Sequence, residues 1–117
     1  MLVEAVGVDD LAPGQMKAVE IGGVSVVVVR KSDGTYRALR NRCAHQGAAL
    51  SDGRVEPLVE GASLGDYRYS KDREVIRCPF HHFEFDVDTG ESPADPRRLR
   101  VRAYDCKVQS GRVYVER

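Results

Sequence analysis

Two short segments place a thiol close to an imidazole, and they restrict the folds open to this chain more than any other feature. Cys43-Ala44-His45 and Cys78-Pro79-Phe80-His81 each fit inside one tight loop. The 32 residues from 46 to 77 separate His45 from Cys78. Because two Cys and two His together form a metal-ligand set, the fold must bring these two distant loops to one place.

Two kinds of metal centre use this ligand set. Zinc is bound by Cys₂His₂ sets, but its common spacings place two or more residues between the thiols. A [2Fe–2S] cluster takes the same four ligands when two His replace two Cys on one of its irons. The Cys-x-His spacing favours the cluster, with Cys43 and Cys78 on one iron and His45 and His81 on the other. Zinc stays open as the alternative.

The rest of the chain has the pattern of strands and turns, which predicts an all-β, antiparallel domain. Val24–Arg30 is almost entirely apolar and β-branched, so we expect a strand that is buried on both faces. Asp33-Gly34 and Ser110-Gly111 are hairpin signals. Apolar and charged residues alternate over 83–88 and again over 98–103, with the period of half-buried strands.

The residues around both segments resemble the two cluster-binding boxes of the Rieske iron–sulfur family. The resembling segments are 43–50 and 78–86, the continuation over 88–93 is similar, and the likeness extends over about residues 21–116. The resemblance implies a Rieske-like antiparallel β-sandwich. Its two cluster-binding loops, at about 41–53 and 76–86, would form a small subdomain at one end. It also implies one [2Fe–2S] cluster per chain, bound by Cys43, His45, Cys78 and His81.

Three features depart from the family pattern. The gap between the boxes is longer than usual, and we assign the surplus to an inserted surface loop over about 54–74. His82 stands where these proteins commonly have Gly, and we expect an exposed side chain there rather than an alternative ligand. Ala48 and Phe80 occupy the positions of two extra Cys in high-potential members, so that disulfide cannot form.

Two phenylalanines bear on the reduction potential. In high-potential relatives, a Ser and a Tyr just after the second box donate hydrogen bonds to cluster sulfurs. The matching positions here are Phe83 and Phe85, which have no donor. Because such bonds stabilise the reduced cluster, we predict a potential at the low end of the Rieske range of about −150 to +300 mV.

The resemblance is to the soluble, low-potential, oxygenase-associated type, which implies an electron-transfer protein and not an enzyme. An NAD(P)H-linked flavoprotein ferredoxin reductase would supply one electron, and a terminal ring-hydroxylating or related oxygenase would withdraw it. Two alternatives stay open: a permanent small Rieske subunit of a multi-subunit oxidoreductase, and a redox-sensing binding module. The chain by itself is not an oxygenase, because the mononuclear iron of such enzymes needs two further His and only His82 remains.

Composition limits the remaining possibilities. The chain has 117 residues with 18 basic and 18 acidic side chains, which predicts one domain over 1–117 and no nucleic-acid partner. No apolar stretch is long enough for a membrane span, and residues 1–5 do not resemble a signal peptide. Cys106 is left without a partner, which fits a reducing cytoplasm and a buried apolar role. We expect a monomer.

One basic run allows two interpretations. Residues 97–102 contain four Arg, which could contact an acidic partner. Their alternation with apolar residues also fits the solvated face of one strand, and we favour that interpretation.

Overall fold

The computed structural model describes residues 1–44, 47–60, 68–79 and 83–117, and these are almost entirely β-structure. Within these ranges one 3-10 turn lies at Leu50–Asp52, and no helix combines the length and apolar character needed to cross a bilayer. The strands in chain order are β1 (Leu2–Gly7), β2 (Met16–Ile21), β3 (Val24–Arg30), β4 (Tyr36–Arg40), β5 (Arg54–Glu60), β6 (Arg68–Arg77), β7 (Glu84–Asp86), β8 (Ala103–Tyr104), β9 (Cys106–Gln109) and β10 (Arg112–Glu116).

The strands pair into three sheets. The central sheet has the order β2-β3-β4-β8, a second has the order β1-β10-β9, and a third has the order β5-β6-β7. All the strand pairs are antiparallel. The predicted all-β antiparallel fold is confirmed, and the third sheet carries the second box at one end.

Strand β3 is buried on both faces, as its apolar sequence predicts. Val26 and Val28 belong to one hydrophobic cluster, and Val27 and Val29 belong to another. Because side chains alternate along a strand, the central sheet lies between two cores. The terminal core consists of Val6, Leu11, Ile21, Val26, Val28, Tyr36, Ala38, Tyr104, Val113 and Val115. The box core consists of Val27, Val29, Leu39, Cys43, Leu50, Ile76, Cys78, Phe85, Val87 and Val101.

Both predicted hairpin turns are present. Asp33 accepts hydrogen bonds from the backbone N–H and the hydroxyl of Thr35, at 2.9 and 2.6 Å, in the turn between β3 and β4. Ser110 and Gly111 both have positive φ, at 50° and 77°, in the turn between β9 and β10. Two consecutive positive φ values are typical of the turn whose twist matches that of the flanking strands.

The prediction that residues 54–74 form a surface loop is wrong, because they contribute to two paired strands. The described residues among them belong to β5 and β6, which pair from Arg54↔Arg77 to Glu60↔Arg68. The register shifts between Pro57 and Val59, where one residue of β5 faces four residues of β6. Proline, which has no N–H to donate to the ladder, lies beside this irregularity. As β5 is an edge strand, it tolerates this break. Residues 61–67 lie outside the described residues.

The period-two pattern over 98–103 does not form one strand. Residues 96–98 make a turn, Arg100 forms an isolated bridge with Glu91, and the strand β8 begins only at Ala103. Conversely, the sequence analysis did not identify β1 and β2. Most residues of both strands are partly or fully exposed, so their apolar pattern is weak.

The sequence pattern over 83–88 predicts buried apolar residues alternating with solvated charged ones. Asp86 is an exception, because it is buried. Its side chain forms an ion pair with Arg73 at 3.1 Å and accepts the backbone N–H of Asp88 at 2.8 Å. A buried carboxylate requires such partners. Through these two contacts, the Asp86 side chain links the turn after β7 to strand β6.

Truncating the terminal core should destabilise the protein without touching the boxes. Ile21 is 3% exposed there, whereas Val108 on β9 is 53% exposed. We expect Ile21→Ala to lower the free energy of unfolding by about 2–5 kcal/mol, because it leaves a cavity. The matched Val108→Ala variant should stay within about 0.5 kcal/mol. Anaerobic denaturant titration followed by circular dichroism measures both, and equal effects would contradict this assignment of the core.

Candidate metal centre

The two box cysteines lie at the ends of strands in different sheets and share one core. Cys43 is the third residue after β4, and Cys78 comes directly after β6. Their relative exposures are 2% and 1%, both belong to the box core, and neither forms a disulfide. The fold therefore buries in one core the two thiols that the sequence predicts as ligands of one iron.

Backbone hydrogen bonds close the first box into a tight loop. The N–H of Cys43 donates to the carbonyl of Ala48 at 2.7 Å, and the N–H of Gly47 donates to the carbonyl of Cys43 at 2.9 Å. Gly47 has φ of 73°, a left-handed conformation that a glycine adopts without strain. The loop conformation is thus fixed by main-chain contacts on both sides of Cys43.

A buried asparagine, which the sequence analysis missed, anchors the first box to the central sheet. The Asn41 amide donates to the hydroxyls of Ser25 and Ser51, at 3.1 and 2.9 Å. Its carbonyl oxygen accepts the backbone N–H of Ser51 at 2.8 Å. These bonds join β3, the end of β4 and the 3-10 turn. No motif marks Asn41, since its partners become neighbours only in the folded chain.

The second box folds back on itself at Cys78. The backbone N–H of Cys78 donates to the carbonyl of Phe83 at 2.7 Å, which joins the residue after β6 to the residue before β7. Phe83 packs against the box core, and Phe85 lies fully inside it. The two phenylalanines therefore contribute apolar surface to the core that contains both thiols.

One close backbone approach joins the two boxes. Gly53 ends the 3-10 turn of the first box, and a Cβ atom at this position would collide with the carbonyl oxygen of Arg77. Arg77 immediately precedes Cys78. Only glycine lets the first box come this close to the end of β6, so Gly53 sets the separation of the two loops.

Charges beside Cys78 are paired. The Arg77 guanidinium lies 2.7 Å from Glu56 and 3.4 Å from Glu84, on the two strands that flank β6. This cross-strand group holds the third sheet together at the end that carries the second box. The sequence analysis assigned no role to these residues, because strand register decides which charges meet.

The third cysteine lies apart from the box core. Cys106 packs against the terminal core. Burial raises the pKa of its thiol to about 11, although the charge of Arg37 acts in the opposite direction. A thiol with so high a pKa is unreactive at neutral pH, which agrees with the predicted apolar role.

Half of the predicted ligand set lies within the described residues. His45 and His81 are outside them, as are Phe80 and His82, so the assignment of all four ligands stays a prediction. Cys43 and Cys78 can be tested for fit. Two buried thiols that are not joined to each other, in an apolar core containing Leu50 and Phe85, fit the thiolate side of a metal centre. Buried thiolates need a cation, and soft metals supply one.

The fold and the paired boxes define a β-sandwich metalloprotein. The chain matches the Rieske [2Fe-2S] domain family over residues 1–105, and it belongs to that family. The predicted cofactor, a [2Fe–2S] cluster, is thereby confirmed.

Two relatives differ in how much of their length this chain spans. Apoptosis-inducing factor 3 of Homo sapiens is 34% identical over 108 residues, which are 92% of this chain but only 15% of that protein. The ferredoxin component of the naphthalene 1,2-dioxygenase system of Pseudomonas putida is 29% identical over 114 residues, 97% of this chain and 93% of that protein. The chain thus matches a small part of the first relative and almost all of the second.

Solved structures support the fold at similar identity. The ferredoxin of carbazole 1,9a-dioxygenase from Nocardioides aromaticivorans IC177 is 35% identical with a TM-score of 0.74, covering 97% of this chain and 95% of that one. A Mycobacterium tuberculosis protein provisionally assigned as the small subunit of an NADH-dependent nitrite reductase is 29% identical with a TM-score of 0.79. Its match covers 100% of this chain and 95% of that one.

The close approach at Gly53 yields a prediction about cluster binding. Gly53→Ala should force the boxes apart, lose most of the bound iron, and cost about 1–3 kcal/mol of stability through overpacking. In the control variant Gly7→Ala, the new methyl group would meet only the flexible end of Arg112 and the side chain of Asp10. Iron and sulfide assays on anaerobically purified proteins compare the two. Full iron content in Gly53→Ala would show that the boxes do not depend on this contact.

Proposed function

We propose that this chain is a one-electron carrier whose cluster is bound by Cys43 and Cys78 on one iron and by His45 and His81 on the other. The observation that carries the proposal is the burial of two disulfide-free box cysteines in one core. It is supported by membership of the Rieske family and by the similarity to ferredoxin components over almost their whole length.

The bound cluster supplies one reversible electron, and the chain's own residues prepare its site. Cys43 and Cys78 supply thiolates from loops whose backbones are already fixed by hydrogen bonds. Leu50 and Phe85 exclude water from the cysteine side. Solvent exposure and hydrogen bonds to sulfur set the reduction potential of such centres. These two apolar side chains therefore influence the reduction potential in addition to packing the core.

We propose a flavoprotein ferredoxin reductase as the electron donor and a terminal ring-hydroxylating or related oxygenase as the acceptor. The proposal rests on relatives that are ferredoxins of naphthalene and carbazole dioxygenase systems. The donor is inferred from the predicted low potential, which suits electrons that come from NAD(P)H. The carrier is proposed to be a cytoplasmic monomer with a single domain over 1–117.

A second candidate function is a permanent small subunit of a larger oxidoreductase. The match to the protein assigned as a nitrite reductase small subunit favours it. The two functions differ in how the chain associates. A carrier separates from its partners during purification, whereas a subunit elutes with its larger partner at constant stoichiometry.

The ligand assignment is tested by changing each Cys and His. We expect Cys43→Ser, His45→Ala, Cys78→Ser and His81→Ala each to lose the dithionite-reduced EPR signal and the two irons and two sulfides of a [2Fe–2S] centre. His82→Ala and Cys106→Ser are the matched controls and should keep them. A rhombic signal with an average g below that of all-Cys clusters marks His ligation. Tightly bound zinc at about one per chain, with no such signal, would overturn the electron-carrier function.

The predicted low potential has its own test. Phe83→Ser places a hydroxyl after the second box, where a hydrogen bond to a cluster sulfur would stabilise the reduced form. We expect this variant to have a higher midpoint potential in a spectroscopic redox titration. Phe83→Leu removes the ring without adding a donor and should leave the potential lower than in Phe83→Ser. Equal shifts of the midpoint potential in both variants would show that the change comes from altered packing and not from a hydrogen bond.

A further inference from the structure

A basic depression lies beside the first box. It is open to solvent, has a volume of about 600 Å³, and its wall includes Cys43, Ala44 and Gly47 of the first box. Four arginines supply the charged part of its lining. We call the depression lined by these four arginines the arginine concavity. They are Arg40, Arg42, Arg100 and Arg102.

These arginines keep their charges unneutralised. All four are exposed, and the ion pairs of the described residues include none of them. Arg102 stacks on the ring of Tyr104 at 4.9 Å, which orients the guanidinium group without cancelling its charge. Among the described residues, the lining of the concavity contains no carboxylate. Several cations elsewhere in the chain are paired instead, since Lys31, Arg73 and Arg77 each have an acidic partner.

The backbone places the four charges together. The N–H of Arg40 donates to the carbonyl of Arg102, and the N–H of Arg42 donates to the carbonyl of Arg40, both at 2.8 Å. The end of β4 and the segment before β8 are thus held side by side. Like charges gathered this way repel one another, so the arrangement costs stability in the free protein. An anionic partner that binds here would remove that cost.

We infer that the arginine concavity docks a carboxylate-rich surface of a redox partner protein next to the first box. This inference deepens the proposed electron-carrier function and rests on it. The charges are complementary, and the planar guanidinium of Arg matches a carboxylate with two parallel hydrogen bonds. Docking at this place brings the partner against the loop that carries Cys43. Interfaces between redox proteins are small, so a few such contacts are enough to define one.

The lining favours a protein surface over other anions. Its guanidinium groups are exposed and line an open depression, whereas a site for a small anion encloses the ion among buried donors. The described part of the lining has no aromatic side chain on which a nucleic-acid base would stack. The chain as a whole has 18 basic and 18 acidic residues, so the positive potential is local to this end and not a general property of the molecule.

The first test uses the unmodified, cluster-loaded protein after reduction. Each reduced chain transfers one electron to hexacyanoferrate(III), an anion, or to tris(phenanthroline)cobalt(III), a cation, in a stopped-flow instrument. We expect the rate with the anion to fall as ionic strength rises, and the rate with the cation to rise, because salt screens local charge. A neutral molecule with evenly spread charge would show neither trend. Absence of both trends, or the reverse trends, would overturn the inference.

The second test locates the effect with charge-matched variants. Arg40→Gln/Arg100→Gln removes two charges from the concavity, and both positions lie outside the boxes. Lys17→Gln/Lys107→Gln removes two exposed, unpaired charges from β2 and β9. At low salt, the arginine variant should reduce the anionic oxidant about 3- to 10-fold more slowly. The lysine variant should keep the original rate. Equal losses in both variants would overturn the assignment to the concavity.

A third measurement identifies the class of anion. Poly-L-glutamate imitates a carboxylate-rich surface, and calorimetry compares its binding with that of inorganic phosphate and of a DNA duplex at equal ionic strength. We expect poly-L-glutamate to bind the unmodified protein and the lysine variant, and to bind the arginine variant several-fold more weakly. Preference for phosphate or for DNA would overturn the docking inference.

The outcomes separate this inference from the proposed function. The EPR signal and iron content of each variant are measured on the same samples. A chain without an iron–sulfur signal would overturn the electron-carrier function itself. An intact signal with no preference for anionic reactants would overturn only the docking surface.

Discussion

The burial of strand β3 on both faces is the constraint on which the rest of this structure depends. Val26 and Val28 face the terminal core, while Val27 and Val29 face the box core, and all four are 2% exposed or less. Each such side chain contributes about 1.5–3 kcal/mol only if something covers it. The β1-β10-β9 sheet covers one face, and the third sheet with both boxes covers the other. The cysteines are buried because they belong to the layer that completes this second core.

Main-chain contacts, together with one side-chain anchor, fix the positions of the two boxes. Hydrogen bonds within each loop fix the backbones of Cys43 and Cys78, and the contact between Gly53 and the Arg77 carbonyl sets the loops side by side. Asn41 joins this assembly to the central sheet. The proposed electron-carrier function favours a site whose geometry is fixed in this way, because small reorganisation speeds repeated electron exchange.

Charge is distributed unevenly in a molecule that is neutral overall. On the third sheet, Arg73 and Arg77 are paired with Asp86, Glu56 and Glu84. In the arginine concavity, the charges next to the first box have no such partners. The ion pairs stabilise the third sheet. The arginine charges beside the first box remain available to the proposed carboxylate-rich partner protein. The same residue type therefore serves structure in one place and association in another.

The sequence by itself determined the class of fold and predicted the cofactor. Two boxes with Cys and His at fixed spacings predicted the cluster, which the family match confirms, whereas the four-ligand assignment stays a prediction. The β-branched run of β3 and the Asp33-Gly34 and Ser110-Gly111 turns predicted antiparallel strands, because these signals are local. Only the tertiary structure decided that residues 54–60 and 68–74 form strands, that Asp86 is buried, and that Asn41 and Gly53 hold the boxes. It also decided which arginines near residue 100 share a surface with Arg40 and Arg42. Strand register and close backbone approach join residues far apart in the chain, so no local pattern of residues encodes them.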